Sequence, residues 1–165
     1  MTADRDRAQV YAAELAAFDG TDLEQIVGFD AVAEAVGGVV ADPWWPGLTP
    51  TVRSMRSDAM SSGTRCSVSG PDRAAVEIAI AAPQATIATG AHELAHVLAG
   101  VGHGHDATFR RAHLDVVGVI TNLERPTGRG TLHIDQLQKA YEAVGLAPGE
   151  RSWPEPPRLG GAIAL

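Results

Sequence analysis

The chain has 165 residues, 45% hydrophobic, 20% charged and 5% aromatic, with a formal net charge of −7. That length buries a core for one domain, while the acidic balance disfavours non-specific nucleic-acid binding and the scarcity of aromatics disfavours a base-stacking platform. No apolar run approaches the roughly 20 residues of a membrane span, the N-terminal MTADRDRAQV has no apolar signal core, and one cysteine, Cys66, has no internal partner; these features predict a cytoplasmic protein.

Residues 4–18 carry Ala8, Tyr11, Ala12, Leu15 and Phe18 at helical spacing, and Asp19-Gly20 stops the helix. The run FDAVAEAVGGVV (29–40) reads as a short helix passing into a strand, broken at Gly37-Gly38. DPWWPGLTP follows as irregular chain, its Trp44-Trp45 pair expected to close over the core. Three strand candidates come next: TVRSMRSD (51–58), TRCSVSG (64–70) and AAVEIAIA (74–81). The third is the most apolar and β-branched, hence the best buried. Arg53, Arg56 and Arg65 fit solvated strand faces, and Cys66 fits a small buried or half-buried residue. A helix over 86–99 ends at Gly100 and Gly102. Asp106 caps another, over 107–123, with Phe109, Ala112, Val116, Val117, Ile120 and Leu123 on its apolar face. Residues 125–130 read as a loop. A final helix over 134–144 turns Leu137, Ala140, Tyr141 and Val144 inward, with His133 capping it or facing solvent. The order predicts an α+β fold: one domain over 1–147, its small mixed sheet packed on the helices, and a Pro/Gly-rich tail over 148–165, extended on the surface or mobile and too poor in packing residues for a core.

Four of the six histidines fall in AHELAHVLAGVGHGH, residues 91–105. His92 and His96 are four apart, so on a helix both imidazoles reach one ion. Glu93 is rotated about 100° from His92; it is placed to reach a water on the open side of the ion, not to ligate it. The bland alternative is a pair of hydrogen-bonded core histidines. A catalytic zinc takes three protein ligands. Candidates for the third are His105, favoured because it follows a glycine-rich bend that can fold back, and then His103, His113 or Asp115. His113 also fits the core, or a supporting role behind the site.

The stretch GHGHDATF resembles the element that follows HExxH in SprT-like metallopeptidases, where a histidine precedes Gly or Asp, two residues and Phe. Here that is His105-Asp106-Ala107-Thr108-Phe109. The longer run HELAHVLAG…GHDATFRRAHLDVV is similar to a family of uncharacterised bacterial HExxH metallohydrolases. The resemblance covers about residues 74–120. It implies a zincin-like domain, zinc on His92, His96 and His105, and catalysis through Glu93.

Three neutral imidazoles leave the ion its full charge, and Glu93 as general base makes amide or peptide hydrolysis the natural reaction. Zinc is the default ion, with nickel, cobalt or iron compatible with the spacing. The expected partner is a peptide or protein substrate, acted on by a monomer. Two other readings compete. One is a nuclease resembling the YbeY-type metalloproteins, which share Gly104-His105-Asp106 but have Gly where Glu93 stands. The other is a metal-stabilised binding module, which has no need of Glu93.

Overall fold

A computed structural model describes residues 4–68, 74–123 and 129–157. In chain order these form α1 (Arg7–Phe18), α2 (Phe29–Ala41), β1 (Thr51–Ser54), β2 (Gly63–Val68), β3 (Ala74–Ile80), α3 (Ile87–Ala99), α4 (Ala107–Asn122) and α5 (Arg129–Ala143), with short 3₁₀ turns between some of them. The fold is α+β, and none of the described helices is long and apolar enough to cross a membrane.

The strands form one mixed sheet in the order β1-β3-β2. Strand β3 is central, parallel to β1 and antiparallel to β2. Its Val76, Ile78 and Ile80 are buried, as the β-branched composition predicts. Glu77 turns to the other face and accepts from Arg53 (2.8 Å) and Arg65 (3.0 Å), so those two arginines hold a surface ion pair across the strands. Cys66 is exposed on the edge strand β2, not buried as expected. The expected strand 64–70 begins one residue earlier, and its last two residues lie outside the described residues.

Helix α3 is the buried spine. Thr86 caps it by accepting from the Thr89 N–H. Gly90 lets α2 approach closely: a Cβ there would sit 2.9 Å from Val32 Cγ1. Helix α4 packs along α3 and α5 and is buried nearly all round between Phe109 and Ile120.

Four further expectations fail. Helix α2 is continuous through Gly37-Gly38 instead of passing into a strand. Val32, Val36 and Val39 keep a helical period and are fully buried, and that burial outweighs the ~1 kcal/mol each glycine costs. Helix α1 buries Val10, Ala13, Glu14, Ala17 and Phe18; Tyr11 and Leu15 of the expected face are exposed. Arg129 and Gly130 belong to α5, while 125–128 of the expected loop lie outside the described residues; His133, within that longer helix, is buried against the Phe18 ring. The segment after α5 is extended but packed. Trp153 is buried, and its Nε1–H donates to Asp115 (2.9 Å). Arg151 donates to both oxygens of the same carboxylate (2.7 and 2.9 Å), and Pro154 O accepts from Trp44 Nε1 (2.8 Å). Residues 158–165 of the expected tail lie outside the described residues.

Candidate metal centre

Helix α3 sets His92 and His96 one turn apart, and the Gly-rich bend after it folds His105 back onto them. Gly104 has φ +57°, and a Cβ there would press 3.1 Å from the Asp4 carboxyl carbon, so the bend needs glycine. Asp106 then starts α4 by accepting from the N–H groups of Thr108 and Phe109 (2.9 and 3.1 Å). The ligand atoms of His92, His96 and His105 all lie within 4.8 Å of one another. The buried Phe109 ring lies against all three, with centroid distances of 5.0, 4.4 and 4.8 Å.

The hydrogen bonds behind the rings fix which nitrogens are free. His92 Nδ1 faces Glu14 Oε2 at 2.9 Å, and His105 Nδ1 faces Asp4 Oδ2 at 2.5 Å. A carboxylate only accepts, so each Nδ1 carries a proton, and in the neutral ring each Nε2 is left a lone pair. Those two Nε2 atoms point at each other across 3.1 Å. Two lone pairs at that separation repel unless a metal ion, or a proton on one of the rings, lies between them. Tetrahedral zinc with Zn–N near 2.0–2.1 Å spaces its nitrogens by about 3.3 Å, so the donor set fits such an ion.

Burial pushes His96, His105 and His113 toward their neutral forms; for His105 the Asp4 carboxylate opposes the push. His92 goes the other way: burial lowers it, but Glu14 prevails and raises it. Burial likewise tends to raise the Glu14 carboxyl, and the His92 and His113 imidazoles overcome it and hold Glu14 far below its ordinary value. Glu14 is thus a buried anion between two imidazoles; its Oε1 lies 3.5 Å from His113 Nε2, and His113 Nδ1 lies 2.6 Å from the Tyr141 hydroxyl.

Glu93 is buried beside His92, and its Oε2 accepts from the Thr64 hydroxyl of β2 at 2.6 Å. Burial raises its pKa, against the opposing pull of His92 and Thr64. His92 and Glu93 open onto a cleft of about 540 Å³. One wall is Arg7, Tyr11 and Leu15 of α1; the other includes Ser62, Gln84 and Thr89. Tyr11 is stacked on the His92 ring, 5.3 Å between centroids and 8° between planes.

The other candidates for third ligand are placed elsewhere. His103 is exposed and paired with Asp106 (2.9 Å). Asp115 is taken by Arg151 and Trp153. His113 stands behind His92, on Glu14. The supporting carboxylates, Asp4 and Glu14, were not singled out from sequence. Glu14 had a legible signal: a lone acid at the 10/14/17/18 spacing of the face that α1 buries. Asp4, 101 residues from its histidine, had none.

No family model, curated protein or solved structure matches this chain.

Proposed function

We propose that the protein is a zinc-dependent metallohydrolase of zincin-like type that cleaves amide or peptide bonds. The observation that carries this reading is the pair of Nε2 atoms held 3.1 Å apart by carboxylates behind each ring, with Glu93 lining the same cleft as His92. His92, His96 and His105 would hold the ion. When bound, zinc supplies Lewis acidity that polarises a carbonyl and brings the pKa of water toward neutrality.

The remaining work falls to the chain. Glu93 takes the proton of the attacking water on its carboxylate and returns it to the departing amine. Its raised pKa moves it toward the range where both transfers run at neutral pH. Thr64 orients the carboxylate through Oε2. Glu14 and Asp4 keep His92 and His105 in the tautomer that leaves Nε2 free. The Phe109 ring packs against the cluster and excludes water from that side. A binding module has no use for a buried carboxylate beside such a site.

The test has two steps. Zinc content after saturation and desalting is expected near one per chain in the wild type and in His103→Ala, and lost in His96→Ala and His105→Ala. Glu93→Gln should then keep its zinc while hydrolysis of a fluorogenic peptide mixture falls about 10²-fold or more. Zinc retained in both site variants, or activity unchanged in Glu93→Gln, rejects the reading.

A further inference from the structure

The wall of the cleft formed by α1 bears on what the site accepts, and the following rests on the hydrolase reading. Arg7 and Tyr11 are four residues apart, so they share one helix face about 6 Å apart along the axis. Tyr11 is fixed over the centre: its ring meets His92 at 5.3 Å and His105 at 5.4 Å. Arg7 is fixed on Tyr11, its guanidinium carbon 5.6 Å from the ring centroid. Arg7 is exposed on the cleft, and no carboxylate pairs with it among the described residues. Among the described residues it is the sole lysine or arginine lining the cleft, whose other formally charged side chains are Glu14, Glu24 and Glu93.

A planar guanidinium held this way is suited to receive a carboxylate in two-point fashion. We infer that Arg7, steadied by Tyr11, binds a free carboxylate of the substrate about one residue from the scissile amide. The substrate class is then a peptide C-terminus or an N-acyl amino acid, and not an internal segment of a folded protein. Arg7 acts as a specificity residue; it does not hold the ion.

Two small hydroxamates test this on the full-length zinc-loaded protein by isothermal titration calorimetry. Acetohydroxamate carries only the metal-binding group, and succinic monohydroxamate adds a carboxylate. The wild type is expected to bind the second about tenfold or more tightly, the lower end for a charge-assisted contact. In Arg7→Gln the two should bind alike, with acetohydroxamate affinity unchanged. Acetohydroxamate binding with no preference in the wild type, or a preference that survives in Arg7→Gln, overturns the carboxylate assignment and leaves the hydrolase reading standing. Failure of both probes to bind, or of zinc to load, overturns both.

Discussion

Glu14 is the residue on which most of the buried polar chemistry converges. It faces His92 at 2.9 Å and His113 at 3.5 Å. Glu14→Gln keeps the shape and removes the charge, so His92 loses the acceptor-only anion that fixes its proton on Nδ1. Zinc affinity should fall about 10–100-fold, measured by competition with a chromophoric chelator, while the far-ultraviolet spectrum stays native. The metal-free protein should also respond to acid in a defined way. Burial holds His96 and His113 below the usual imidazole range, so the unfolded chain binds more protons than the native one below the unfolded value near 6.5. Their contribution is complete above that pH and is lost as pH falls through it. His92 is raised and opposes this. The Tm of metal-free protein should therefore drop between pH 7.5 and 5.5, and less steeply in His96→Gln, as a calorimetric series would show.

At the level of elements, the strap after α5 replaces the loose tail that its prolines and glycines suggest. Asp115 is buried in α4 and ionically satisfied by Arg151, with Trp153 donating from the same strap. Arg151→Ala leaves that carboxylate without its cation and should cost about 2–4 kcal/mol in urea unfolding, with zinc stoichiometry unchanged. The elements legible in sequence were those whose pattern comes from burial: β3 from its β-branched run, α3 from its apolar context and Thr cap, α4 from Asp106. The HExxH pair and His105 were legible because helix geometry and a glycine bend dictate who can meet. What escaped was tertiary. The orientation of α1 turns on Glu14 serving a histidine 78 residues away, and α2 stays helical across two glycines because three valines pay for it through burial. Trp153 finds its acceptor on a helix far back in the chain. No local window contains those partners.

Over the whole molecule, the first residues of the described chain complete a centre whose ligands lie in the second half. Asp4 accepts from the His105 backbone N–H (3.2 Å) as well as facing its ring, and Asp6 accepts from Arg110 Nη1 (2.7 Å). A variant lacking residues 1–6 should keep its helical spectrum, because α1 begins at Arg7, yet bind zinc at least about tenfold more weakly through loss of the carboxylate behind His105. Equal affinity in the shortened chain would show that the carboxylate is dispensable.

Arg110 ties these scales together. Its Nη1 donates to Asp6 and to the His105 carbonyl (2.9 Å), and its Nε donates to the Ala147 carbonyl (2.8 Å). A single planar fork thus staples the leading arm, the histidine bend and the trailing strap, three strips of chain that never meet in sequence. A lysine has the charge, but its three donors sit on one nitrogen, so it cannot meet the acceptors that the fork reaches from Nη1 and Nε at once. Nicking either outer strip would loosen its counterpart, and the imidazole cluster beneath would open to solvent from both directions at once.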